Sequence, residues 1–209
     1  FTTAAEISPL YAYCFATQCQ QVFQHEPYDM LELGAGTGRF ACDLLQKLSH
    51  LPDHYYIFEI SEALRVKQRE MITAHLPDLL PRVIWLTELP THFTGIIIAN
   101  EVLDALPVTC FRIGANQIEE RGVSLQDDQF IFTACQPIHP QLIAAARRLQ
   151  QTYALPIGYE SEINFQLLPF IQSLSRCLTR GVILFADYGY GEAEYYHPER
   201  NKGTLNCFY

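Results

Sequence analysis

Residues 31–40 read LELGAGTGRF, a short apolar run that stops at three glycines before a helical pattern begins. The stretch predicts a strand, a tight loop and a helix start. Gly34, Gly36 and Gly38 permit backbone angles and a closeness of approach that any Cβ would block, so a ligand can lie against the main chain. The N–H groups of the helix beginning near Thr37 face the same space, where the helix dipole favours a carboxylate or a phosphate.

The dinucleotide fingerprint G-x-G-x-x-G needs glycine at its sixth position, which is Arg39 here, with Gly38 at the fifth. A nicotinamide-dependent oxidoreductase is therefore the weaker alternative. Glu32 just before the loop and Glu59 at the end of the next strand suit a nucleoside cofactor with a cationic centre better than a pyrophosphate, which points to S-adenosyl-L-methionine. The bland alternative is an ordinary strand-to-helix turn, but such turns rarely need so many glycines so close together.

The 209 residues predict one domain with an insertion. Apolar content of 49% is that of an ordinary globular protein, and no apolar run is long enough to span a bilayer, so no membrane insertion is expected. Seven cysteines, an odd count without a C-x-x-C pair, indicate a reducing compartment, a bacterial cytoplasm or alternatively the mitochondrial matrix. The histidines are dispersed, and no metal site is predicted. A net charge of −9 argues against non-specific nucleic-acid binding and is compatible with a cationic protein or peptide partner, although an acidic surface that serves solubility alone is the favoured reading.

Ser8 and Pro9 signal a helix start, and a helix is expected to about Phe23 with Leu10, Cys14, Val22, Tyr11 and Phe15 as its apolar stripe. Glu6, just before it, reads as a solvated loop acid, with contact to the cofactor as the alternative. Strands are expected at 28–33, 55–60, 82–86 and 94–99, with helices at 39–48 and 62–75 between them. Near-continuous apolar runs separated by amphipathic helices fit a parallel sheet covered on both faces, a Rossmann-like, doubly wound α/β fold. Residues 108–140 alternate apolar and polar and predict an antiparallel β insertion of two or three strands after the fourth parallel strand. Helices at 141–153 and 161–178, a fifth parallel strand at 182–187 and an irregular tail from Tyr190 complete the chain.

In open α/β sheets, ligands bind outside the carboxyl ends of the strands. Four strand ends here carry polar signatures: the loop Gly34-Ala35-Gly36-Thr37-Gly38, then Glu59-Ile60-Ser61, Asn100-Glu101, and Asp187-Tyr188. Glu59 lies about 20 residues beyond the loop, the distance at which a carboxylate accepts hydrogen bonds from both ribose hydroxyls. The cofactor-binding candidates are thus Glu32, Gly34, Ala35, Gly36, Thr37, Gly38, Glu59, Ile60, Ser61 and Asn100. Asn100, Glu101 and Asp104 are the catalytic candidates. A carboxylate pair such as Glu101 and Asp104 can hold a guanidinium by charge-assisted hydrogen bonds; alternatively Glu101 caps the segment leading into Asp104.

These residues resemble the MidA family of class I S-adenosylmethionine-dependent methyltransferases. Its mitochondrial members assist assembly of respiratory complex I by symmetric dimethylation of an arginine in one of its subunits. The resemblance rests on residues 1–10 (FTTAAEISPL), 31–38 (LELGAGTG), 58–61 (FEIS), 99–108 (ANEVLDALPV), 187–189 (DYG), 194–200 (EYYHPER) and 203–207 (GTLNC). It implies a protein-arginine N-methyltransferase with Gly34, Gly36 and Gly38 as the cofactor loop, Glu59 as the ribose ligand and Asn100-Glu101 as the floor of the methyl site. It also implies a fragment, since family members extend beyond both ends, and a histidine where Phe208 stands. The competing class is a cofactor-binding assembly or scaffold protein without turnover.

Overall fold

The structure is a computed structural model that describes residues 3–23 and 28–206. Phe208, and Cys207 of the GTLNC stretch, lie outside the described residues. The chain divides into two compact units, Phe1–Leu103 with Phe170–Asp187, and Asp104–Pro169 with Tyr188–Tyr209. The β insertion expected at 108–140 falls within the second.

The first unit alternates strand and helix: α1 (Ala4–Ile7), α2 (Pro9–Phe23), β1 (Asp29–Leu33), α3 (Arg39–Lys47), β2 (Tyr55–Phe58), α4 (Glu62–His75), a 3₁₀ turn (Pro77–Arg82), β3 (Val83–Leu86) and β4 (Phe93–Asn100). Its fifth strand is the β9 of the chain (Leu178–Ala186). The five pair in the order β3-β2-β1-β4-β9, all parallel. β1 lies at the centre, so its side chains are buried to both sides. Met30 joins Tyr55, Ile57, Ile96 and the helical residues Phe40, Leu44 and Ile72 on one face. Leu31 and Leu33 join Ile97, Leu174 and Cys177 on the other. The doubly wound α/β fold is therefore as expected.

Three local readings differ from the structure. Residues 161–178 do not form one helix: Glu160–Ile163 is strand β8 of the second unit, and only Leu167–Cys177 is helical, as α6. The Asn164 side chain accepts from the Gln166 and Leu167 N–H groups and so starts α6 there. On α2, Tyr11, Phe15 and Val22 pack on the core as expected, the first two with their rings against Phe40 of α3, but Leu10 is 67% exposed and Cys14 is exposed, and Ala12, Ala16 and Cys19 are buried in their place. Glu6 is in α1 rather than in a loop.

The second unit is an antiparallel sheet, β7-β6-β5-β8, of β5 (Thr109–Ile113), β6 (Ile118–Gln126), β7 (Gln129–Cys135) and β8. Helix α5 (Leu142–Tyr153) packs Leu142, Ala146 and Leu149 on Phe111, Ile113 and Ile118. Asp127 and Asp128, both at positive φ, make the two-residue turn between β6 and β7. The tail contains the short helix α7 (Glu192–Tyr195). It is tied to β8 through the buried Glu162 carboxylate, which accepts from the Tyr195 hydroxyl at 2.6 Å and the Thr204 N–H at 2.8 Å.

Near the starts of β4 and β9 the backbones approach where only glycine fits. A Cβ on Gly95 (φ +151°) would lie 1.9 Å from the Asp29 carbonyl oxygen, and one on Gly181 (φ +139°) 1.8 Å from that of Gly95. Gly181→Ala is therefore expected to destabilise the fold by about 2 to 4 kcal/mol, read as a lower urea midpoint. An unchanged midpoint would show that the strands can separate at no cost.

Candidate functional site

The three loop glycines do different work. Gly34, at φ +65°, donates its N–H to the Phe58 carbonyl at 3.0 Å and so carries the sheet ladder into the loop. Gly38, at φ +88°, is the N-cap of α3; a Cβ there would come within 3.1 Å of the Gln68 Cα, so helix α4 can approach the loop only because this residue is glycine. Gly36, at φ +53°, is exposed, and a Cβ added to it would meet no protein atom within 4 Å. Space is thus left open where the main chain itself is the wall. Thr37 is exposed beside it, whereas Ala35 is 6% exposed and turns its methyl into the core, offering a ligand only its backbone.

At the end of β2 the Glu59 carboxylate is 5% exposed and held from two sides. Its Oε1 accepts from the Ser61 N–H at 2.9 Å and its Oε2 from the Gln68 amide at 3.1 Å. A carboxylate has about four lone-pair sites, so capacity remains for further donors. Ser61 also caps α4, accepting from the Leu64 N–H at 3.3 Å. Ile60 is 78% exposed and places open apolar surface, which a flat heteroaromatic base can cover, next to this acid.

Gln68, fully buried, is the residue that sequence reasoning missed. Its side-chain nitrogen donates to the Gly36 carbonyl at 3.0 Å as well as to Glu59, and its oxygen accepts from the Trp85 indole at 3.0 Å. The signal was present: Gln68 stands four residues from both Leu64 and Ile72, on the inward stripe of α4, where an apolar residue is expected.

Glu32 is not at the loop surface. It is 4% exposed, and its carboxyl accepts from the Tyr55 hydroxyl at 2.7 Å. Burial pushes its pKa up to about 7; the Tyr55 hydrogen bond works against that rise and the charge of Glu59 adds to it.

At the end of β4, Asn100 is half-buried and its Oδ1 accepts from the Tyr11 hydroxyl of α2. Glu101 follows at φ +50°, a left-handed backbone rare for a residue with a side chain. Its N–H donates to the Ala186 carbonyl at 2.8 Å, and the next turn is closed by the Leu103 N–H donating to Asp187 Oδ2 at 2.7 Å. Asp187 thus serves to shape the chain after Glu101. The first unit brings together the loop, Glu59 to Ser61, Asn100 and Glu101 at its strand ends; Asp104 belongs to the second unit. Glu6, read from sequence as a solvated acid, accepts from the Thr37 hydroxyl at 2.5 Å and so reaches the glycine loop.

Two outcomes are expected. Gln68→Leu strands the Gly36 carbonyl, the Glu59 carboxylate and the Trp85 N–H without their partner, so stability should fall by about 2 to 4 kcal/mol, and the fluorescence of Trp85, the single tryptophan, should shift. Unchanged unfolding and emission would remove Gln68 from the network. For Glu32, the unfolded chain ionises at the ordinary carboxylate pH and the folded chain only near 7, so between those values the folded state binds more protons and loses stability as pH rises. Glu32→Gln removes this loss. Relative to the parent it should gain about 3 kcal/mol between about pH 4 and pH 8 in chemical-unfolding measurements, and parallel pH profiles would contradict the buried acid.

The glycine cradle, the apolar surface beside a strand-end acid and the open space over Gly36 are what a nucleoside cofactor with an amino-acid tail requires, and known proteins point the same way. A crystal structure of a protein from Burkholderia thailandensis bound to S-adenosyl-homocysteine is similar to this chain at 35% identity, with a TM-score of 0.84 over 98% of this chain and 53% of its own. A native crystal structure of a protein from the same organism matches at 36% identity, with a TM-score of 0.85 over 97% of this chain and 55% of its own. The chain thus spans about half the length of these relatives. Residues 12–209 match the model of the family described as "Putative S-adenosyl-L-methionine-dependent methyltransferase", and the chain belongs to that family, whose cofactor is S-adenosyl-L-methionine.

Proposed function

We propose that this chain binds S-adenosyl-L-methionine at the strand ends of its first unit and takes part in N-methylation of an arginine on a protein partner. The observation that carries the proposal is the open cradle at Gly36 flanked by two differently prepared acids, Glu59 at the end of β2 and Glu101 at the end of β4. Bound there, the cofactor supplies a methyl group on a sulfonium, an electrophile that needs no acid catalyst.

The chain's own residues bind and align. The loop of Gly34, Gly36, Thr37 and Gly38 accommodates the amino-acid portion against bare backbone, Glu59 accepts hydrogen bonds from the ribose hydroxyls, and Ile60 covers one face of the base. Ser61 and Gln68 keep the Glu59 carboxylate aimed, and Asn100 with Tyr11 walls the β4 side. Glu101 holds the guanidinium of the acceptor by charge-assisted hydrogen bonds, which fixes its plane and leaves one nitrogen directed at the methyl group. Asp104 was expected to share this task; the first unit by itself offers Glu101, and the acceptor proposal rests on that residue. A protein of respiratory complex I type is the substrate that the MidA resemblance suggests, with the net charge of −9 suited to a basic partner.

The test separates binding from transfer. Gly36→Val fills the cradle and should abolish calorimetric binding of S-adenosylhomocysteine. A β-branched residue at φ +53° is strained, so the melting temperature should fall by several degrees while the protein stays folded at the assay temperature, and undiminished affinity would overturn the cofactor site. Glu101→Gln should bind the cofactor within about threefold of the parent yet lose about two to three decades in methyl transfer to arginine-containing protein acceptors. Equal turnover by parent and Glu101→Gln would exclude the carboxylate from acceptor binding. Cofactor binding by the parent without transfer to any such acceptor would favour an assembly role instead.

A further inference from the structure

The N-terminal segment touches the site twice. The Tyr11 hydroxyl donates to Asn100, and the Glu6 carboxylate accepts from the Thr37 hydroxyl in the middle of the glycine loop. The second contact puts an exposed acid where the cofactor proposed above would carry its amino-acid end. That end has two charges of opposite sign. Backbone N–H groups suit its carboxylate, but an ammonium has only donors and is best met by a carboxylate.

The other acids near the loop are engaged otherwise. Glu32 is buried beneath it, with its carboxyl on the Tyr55 hydroxyl. Glu59, held by Ser61 and Gln68 at the end of β2, is the acid assigned above to the ribose. Glu101 closes β4 beyond Asn100. Glu6 receives the Thr37 hydroxyl on Oε1, and Arg39, the loop cation that feels its charge, is tied to Asp43 at 2.8 Å.

We propose that Glu6 is the binding residue for the α-ammonium of the cofactor's amino-acid moiety, held over the loop by its hydrogen bond with Thr37. This rests on the cofactor reading. It assigns the short helix α1 a role in recognising the amino-acid half of the ligand, separate from the recognition of its nucleoside half by Glu59 and Ile60.

Two ligands that share the nucleoside and differ in the amino-acid end provide the test: S-adenosylhomocysteine, which carries the ammonium, and 5′-methylthioadenosine, which lacks it. Glu6→Gln keeps an oxygen for the Thr37 hydroxyl and removes only the charge. Calorimetry should show S-adenosylhomocysteine weakened by about 10- to 30-fold and 5′-methylthioadenosine changed by less than about twofold. Equal loss for both ligands, or no loss for either, would overturn the assignment while leaving the cofactor site standing. The same split in Glu101→Gln but not in Glu6→Gln would also overturn it, moving the ammonium to the end of β4. A parent protein that binds neither ligand would overturn the cofactor reading and this inference with it.

Discussion

One buried amide ties the site together. Gln68 joins three chain segments that are distant in sequence: the glycine loop through the Gly36 carbonyl, the end of β2 through Glu59, and β3 through the Trp85 indole. Because an indole N–H can only donate, the Gln68 oxygen must face Trp85, and its nitrogen must then face Gly36 and Glu59. The amide has no second orientation that satisfies all three. The Gln68 side chain is fully buried, so its amide groups are costly to leave without partners, and these bonds hold the loop and the acid at a set spacing. Arg69, whose guanidinium lies 4.2 Å from the centre of the Trp85 ring, adds a cation–π contact at the edge strand.

What the sequence revealed about the fold follows the range of the interactions that decide each element. The β1-loop-α3 unit is legible because its signals are local: an apolar run, glycines where a turn needs positive φ, and a helical period from Phe40 onward. The run Ile96-Ile97-Ile98 likewise announces a strand buried on both faces. Strand β8 was not legible. Its four residues carry little pattern of their own, and what makes them a strand is antiparallel pairing with Thr109 to Arg112, about fifty residues upstream. On α2 the misread positions are Leu10 and Cys14: the helix carries apolar residues around more of its circumference than the inward face holds, and that face is taken by Tyr11, Phe15 and Val22 with Ala12, Ala16 and Cys19.

For the site, residue types were legible and environments were not. Glu6 shows this most plainly: nothing in FTTAAEISPL says that α1 folds back so that residue 6 meets residue 37. Nor does ANEVLDALPV reveal that Asp104 falls in a different compact unit from Glu101, or that Glu101 takes a left-handed backbone. That backbone costs on the order of 1 kcal/mol and persists because the Ala186 carbonyl and the Asp187 carboxylate hold the chain on either side of it. Strain maintained from both sides at the end of a central strand is a reason to place function there.

Glu32 and Glu59 carry the same side chain on neighbouring strands, yet the protein treats them in opposite ways. Glu59 is given a backbone N–H and an amide N–H, one on each oxygen, and keeps capacity for further donors. Glu32 is given one hydroxyl and otherwise sealed in apolar surroundings, which moves its titration toward neutrality. Burial is the main cause of that rise, and the charge of Glu59 adds to it. The cost falls on stability, which is lost as pH rises from the ordinary carboxylate range to about 7. Of the acidic pair read from sequence as two cofactor ligands, Glu32 is therefore a buried acid on Tyr55, and Glu59 alone keeps the place at the strand end that the proposed ribose contact needs.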